Sequence, residues 1–218
     1  MRKAIIIVMS LIFLCFACKS NNYLKIKVEV PGITRVRINN FSEILITNFL
    51  IKKESNEFNL NKELVDFFSA ELGMHFNGKI ESREIQLKKK DTFSDQEFWK
   101  NLISDSENVL IFTGSAEYSQ EIRKAILKEY SRRSEEFTPQ KKGLAERKFY
   151  TLQLSIFLID GATGKALYEK NFKESRGYEN KNQTAYFAFF DLAEQIRVKL
   201  FRNILGLERV QQRYLISK

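Results

Sequence analysis

The stretch from Phe149 to Phe172 leaves this chain the fewest options for its fold. Leu152, Leu154, Ile156 and Leu158 recur at every second position, and Phe157 and Ile159 stand on the opposite side. Successive side chains of an extended backbone leave on opposite faces, so a period of two marks a strand, here one that needs cover on both faces. Asp160-Gly161-Ala162-Thr163-Gly164-Lys165 then supplies turn chemistry, and the chain returns with Tyr168 and Phe172 in phase. The sequence therefore predicts a long hairpin embedded in a sheet. The two glycines and the lysine do not make a phosphate-binding loop. That loop needs four residues between its glycines, Ser or Thr after the lysine and a helix behind it, whereas here two residues intervene and a strand follows.

The remaining segments fall around that hairpin. Residues 23–30 alternate, Pro31-Gly32 makes a turn and residues 33–38 alternate again, which predicts a second hairpin. Residues 44–51 form a nearly continuous β-branched apolar run and predict a strand in the middle of the sheet. Asn61 can cap a helix whose stripe is Leu64, Val65, Phe68 and Leu72, with Gly73 ending it. Residues 79–87 read as an edge strand running into Lys88, Lys89 and Lys90. Ser94 and Glu97 form a capping box flanked by Phe93 and Phe98, so a helix carrying Phe98, Leu102 and Ile103 begins there.

Val109 to Thr113 predicts a short buried strand ending at Gly114-Ser115. Ile122, Ile126 and Tyr130 lie four apart, which predicts a helix over residues 119–130 with a narrow apolar stripe. Residues 131–145 read as a long exposed loop within a basic region near 131–148. Asn180 with Gln183 can cap a last helix that turns Phe189, Leu192, Ala193, Ile196, Leu200 and Ile204 inward and stops before Gly206. The expected fold class is α/β in the α+β sense: a single mixed sheet layered with three to four helices, with a long C-terminal hairpin and a terminal helix.

The amino terminus says where such a domain goes. Arg2 and Lys3 precede an apolar run ending at Ala17-Cys18, the pattern of an export signal over residues 1–17. The run is shorter than the roughly 20 apolar residues of a membrane-spanning helix. Cys18 sits where bacterial lipoprotein signal peptides, which this segment resembles, carry the cysteine that receives lipid; Cys15 and Phe16 stand where those signals usually have an aliphatic and a small residue. An ordinary secretory signal cut near Ala17, or an uncleaved anchor, is the alternative. The resemblance implies a lipidated cysteine and tether over residues 18–22, a single envelope domain over residues 23–218, and attachment to a membrane, the outer one, at its periplasmic or surface face. Each acyl methylene buried in the bilayer contributes about 0.8 kcal/mol, so two or three chains hold a protein durably.

A second resemblance lies in the domain. Residues 44–51 followed by a helix, the V-L-I-F-T-G-S of Val109 to Ser115, and the strand, I-D-G-A-T-G-K turn and returning strand of the hairpin are similar to a group of bacterial envelope lipoproteins and their kin. The group comprises the curli-secretion lipoprotein domain, the lipoprotein activators of peptidoglycan synthases and the amino-terminal domain of the Tol-system periplasmic protein. It implies a non-enzymatic envelope adaptor or assembly factor that binds another envelope protein or the cell-wall polymer. Residues 119–148 lack the alternating lipid-facing pattern of the hairpins with which the secretion members form a pore.

Composition narrows the chemistry. Hydrophobic residues are 44% of the chain, with only 2 Pro and 9 Gly, which is the make-up of a packed domain. The net charge of +9 falls to +7 if Arg2 and Lys3 leave with the signal, giving a pull toward anionic partners, and export excludes nucleic acid. The 2 Cys, Cys15 and Cys18, both lie in the leader region, so the domain has no disulfide and no thiolate. His75 is the only histidine. Nucleophilic triads and zinc sites therefore lack material. Glycosidase chemistry needs two carboxylates set across a cleft, and acidic pairs such as Glu135-Glu136 lie instead in the charged loop. No enzyme activity, cofactor or metal is expected. The expected partner contacts are Arg132, Arg133, Lys141 and Lys142, and the oligomeric state is left open. The alternative is a carrier or chaperone for a hydrophobic envelope molecule, with Phe98, Trp99 and Tyr186 to Phe190 lining its groove.

Overall fold

The structure, a computed structural model, describes residues 23–30, 34–87, 90–103, 108–126, 144–178, 182–206 and 209–216. They belong to two compact units, one holding residues 1–32 and 208–218 and the other residues 33–207. In the first unit β1 (Tyr23–Val30) pairs antiparallel with β7 (Arg209–Ile216), from Tyr23↔Ile216 to Val30↔Arg209. The expected hairpin with residues 33–38 does not form. Alternation marks which residues are covered, and Val36 and Ile38 are indeed buried, but they anchor an irregular segment that enters a 3-10 turn at Ile38–Asn40.

The second unit is one mixed sheet with three helices. Strands β2 (Glu43–Lys53), β3 (Lys79–Arg83), β4 (Val109–Ile126), β5 (Leu144–Asp160) and β6 (Ala166–Tyr178) lie in the order β3-β2-β4-β5-β6. β2 is parallel to both of its neighbours, while β5 is antiparallel to both β4 and β6. The interior place of β2 matches its sequence, and β3, shorter than expected, is an edge. Helices α1 (Leu60–Gly73) and α3 (Ala185–Ile204) cover one face, where Leu64, Phe68, Phe189, Leu192, Ile196 and Leu200 meet Ile46, Phe112, Leu154 and Ile156. The opposite face carries a smaller cluster of Phe93, Trp99, Ile111, Phe157 and Ile159, brought by the segment around α2 (Gln96–Leu102).

Each helix begins near its expected cap but not on it. The Asn59 side chain, not that of Asn61, accepts from Lys62 N–H at 2.9 Å; Asp95, next to Ser94, accepts from Phe98 N–H at 3.0 Å; and Thr184 accepts from Phe187 N–H at 3.2 Å. Asn180 lies outside the described residues.

The largest departure is residues 119–126, which continue β4 as strand where a helix was expected. Residues four apart share a face in a helix, but they also share a face in a strand, because four is an even number of steps. The spacing of Ile122 and Ile126 is therefore ambiguous, and the long antiparallel partner β5 decides it. Residues 144–148, assigned to the basic loop, are likewise part of β5.

The β5–β6 turn is as the sequence reads. The Asp160 carboxylate accepts from Ala162 N–H at 3.0 Å and from the Thr163 hydroxyl at 2.8 Å, and Gly164 N–H donates to the Asp160 carbonyl at 2.7 Å. Gly164 has φ +69°, and a side chain there would collide with the backbone of Gln96 at the start of α2. Gly164→Val should therefore lower stability by about 1–3 kcal/mol through backbone strain, read as a shifted urea midpoint. An unchanged midpoint would mean that the turn does not hold this conformation.

Candidate functional site

Cys18 and the four expected contact residues Arg132, Arg133, Lys141 and Lys142 lie outside the described residues, as do Glu135 and Glu136. The last six lie between Ile126, where β4 ends, and Leu144, where β5 begins. β4 and β5 pair without interruption from Leu110↔Asp160 to Ile126↔Leu144. The ladder of β2 with β4 stops at Lys53↔Glu117, and that of β6 with β5 stops at Lys148↔Tyr178. Beyond those pairs the two strands run on as a ribbon, an arm that extends past the sheet and pairs with no third strand among the described residues.

The root of the arm has two unlike faces. On one, the Arg123 guanidinium pairs with Glu121 at 2.6 Å and lies 5.2 Å from the centre of the Phe149 ring. That ring covers Gly177 on β6 so closely that a side chain at Gly177 would come within 2.6 Å of it. On the other face, Ile122, Lys148 and Tyr178 form one cross-strand row, and Ile122 is 65% exposed. The Tyr178 ring meets Phe187 at 6.2 Å, and Phe187 and Tyr186, 55% and 46% exposed, stand on the first turn of α3. A solvated apolar spot thus adjoins a charged ribbon.

Hydrogen bonds fix this spot. The Tyr118 hydroxyl donates to the Ala185 carbonyl at 2.8 Å and the Tyr150 hydroxyl to the Gln183 carbonyl at 3.0 Å, while Glu57 accepts from Ala185 N–H at 3.1 Å. Tyr186 donates to Glu63 at 3.1 Å, and Tyr178 bonds to Asp191, which also holds Arg176 at 2.7 Å. Burial pushes the hydroxyls of Tyr118, Tyr150 and Tyr178 above the usual tyrosine range, with the Asp191 carboxylate adding to the effect at Tyr178. Such phenols keep their protons near neutrality and act as hydrogen-bond donors that clamp the first two turns of α3 to β4, β5 and β6.

The aromatic residues considered for a groove divide. Trp99 and Phe189 are fully buried, Phe98 and Phe190 are partly buried against the two cores, and only Tyr186 and Phe187 reach solvent. His75 is exposed, its ring edge-on to Phe201 at 5.4 Å. Among the described residues no group of three or more His, Cys, Asp or Glu is placed to hold a metal ion, and no helix is long and apolar enough to cross a membrane. The arm was missed in sequence because its spacing fits either period, whereas Tyr186 and Phe187 were among the candidate groove aromatics and are the two that stay exposed.

No protein-family model matches the sequence, and no curated protein matches it. Solved structures do. The chain is similar to the PelC dodecamer from Paraburkholderia phytofirmans, with 9% identity and a TM-score of 0.42 over 81% of this chain and 97% of that one. It is similar to lipoprotein GNA1162 from Neisseria meningitidis, with 12% identity and a TM-score of 0.37 over 73% of this chain and 98% of that one. An uncharacterized lipoprotein B from Nitrosomonas europaea, at 12% identity and a TM-score of 0.34, covers 79% of this chain and 86% of its own. The solved structures that this chain resembles thus include bacterial lipoproteins.

Proposed function

We propose that this protein is a lipid-anchored lipoprotein of the bacterial cell envelope and a non-enzymatic adaptor or assembly factor, which binds another envelope protein or the wall polymer. It belongs by this reading with the curli-secretion, synthase-activator and Tol-system group, held at the outer membrane through Cys18. The observation that carries the reading is the β4–β5 arm. A two-stranded ribbon is marginal in water by itself, and the β4 edge past Glu117, which no other strand pairs with among the described residues, is one that a partner strand can take up. Ile122, Tyr186 and Phe187 add apolar contact at its root. The carrier alternative draws less support. Grooves of about 330, 410 and 470 Å³ among the described residues are lined mainly by polar and charged side chains, while Phe49, Phe68 and Phe112 pack on one another at ring distances of 5.0–6.2 Å.

The test is in-cell crosslinking from a photoreactive residue at Ile122 or Phe187, with the products identified by mass spectrometry. One partner should recur from both positions. Its yield should fall on reversing the charges of Arg132, Arg133, Lys141 and Lys142, and the wild-type yield should fall with salt, because such contacts act on encounter and are screened beyond about 10 Å. Melting should be unchanged, since exposed substitutions shift stability by about 0.5 kcal/mol at most. Equal yield from wild type and the charge-reversed protein would remove the basic segment from the contact surface, and no recurring product from either position would overturn the adaptor reading.

A further inference from the structure

A groove at the carboxyl ends of β2 and β3 is built mainly from polar side chains, with Val65, at the margin of the core, as one wall. The two parallel strands stop pairing at Thr47↔Arg83. Just beyond, β2 carries a bulge: the three steps from Ile46 to Phe49 face the two from Phe112 to Gly114 on β4. A bulge re-aims a side chain, and the residue re-aimed is Asn48, whose carboxamide oxygen accepts from Ile85 N–H at 2.8 Å where the strands part. Asn61 accepts from Phe49 N–H at 2.7 Å, and Asn59 from Lys62 N–H at 2.9 Å. A backbone donor thus fixes the oxygen of each carboxamide, which settles the position of its nitrogen. The result is three carboxamides with their oxygens fixed, lining one groove of about 410 Å³.

The remaining walls define what fits. Lys62 and Arg83 balance Asp66 and Glu84, so the groove has no net charge to hold a simple anion, and Val65 is its only apolar side chain, too little for a lipid. A neutral ligand carrying amide and hydroxyl groups satisfies every wall. We propose that the groove binds an acetamido sugar. The acetyl carbonyl accepts from the asparagine NH2 groups, the sugar hydroxyls and amide N–H donate to Asp66 and Glu84, and the methyl group rests on Val65. The groove lies beyond the carboxyl ends of the parallel strands β2 and β3, beside the first turns of α1. The inference rests on the envelope reading above, since wall polymers are built from such sugars.

The experiment titrates the full-length protein in detergent with tri-N-acetylchitotriose, and with the deacetylated trimer as control, by calorimetry. The acetylated sugar should bind saturably and the control should not. Asn48→Asp and Asn61→Asp keep an oxygen for Ile85 N–H and Phe49 N–H, so melting should hold, but each replaces a donor with an acceptor and should weaken binding by about tenfold. Equal affinity in wild type and both variants would place the sugar elsewhere and overturn the proposal. Absence of sugar binding with retained sedimentation on isolated wall polymer would overturn this site alone. Absence of both would overturn wall binding while leaving the protein-partner reading to the crosslinking test.

Discussion

Trp99→Ala should destabilise this protein by about 3–5 kcal/mol, the cost of removing a fully buried indole and leaving a cavity. Trp99 is 0% exposed, lies parallel to Phe93 with ring centres 6.5 Å apart, meets Phe98 edge-on at 5.0 Å and donates its Nε1–H to the Thr92 carbonyl at 2.8 Å. Phe93 in turn stacks on Phe157 of β5 at 4.5 Å. This small cluster is the apolar anchor of the α2 segment on its face of the sheet, beside a 3.3 Å hydrogen bond from Arg83 to the Leu102 carbonyl, so it has few neighbours to redistribute the loss. Trp99→Phe keeps most of the ring area and should cost less than half as much, with the indole hydrogen bond lost in both. Trp99 is the only Trp in the chain, so the comparison is made by circular dichroism in urea. A midpoint for Trp99→Ala equal to that of wild type would mean that the α2 segment is not a fixed cover of the sheet.

The second large effect is all-or-none. Cys18→Ser should abolish incorporation of labelled palmitate, because serine offers no thiol for the diacylglycerol, and should move the protein from the membrane fraction to the soluble one. The physical reason is additive: two or three acyl chains contribute about 0.8 kcal/mol per buried methylene, and no helix among the described residues replaces them. The substituted protein should melt as wild type does. Equal labelling of both proteins would end the anchor reading, and with it the placement of the adaptor at a membrane face.

Patterns with a short reach were legible in the sequence alone. The β5–β6 hairpin follows from alternation and from the Asp160 carboxylate, which organises its own turn within five residues. The stripe on α3 follows from a period that its buried residues keep from Phe189 to Ile204. The interior position of β2 follows from an apolar run that solvent on either face would not tolerate. Other features depended on residues far apart. Alternation says which face a side chain takes but not which strand lies alongside, so the pairing of β1 with β7 could not be read from either segment. Asn61 looked like a cap, and only the fold shows its oxygen spent on Phe49 N–H, which leaves the cap to Asn59. Residues 119–126 suit both periods, and β5, returning along them, selects the strand. The asparagine groove is the extreme case. Asn48, Asn61 and Ser82 carry no common pattern in the chain, and they meet only because parallel strands joined by a helix end side by side.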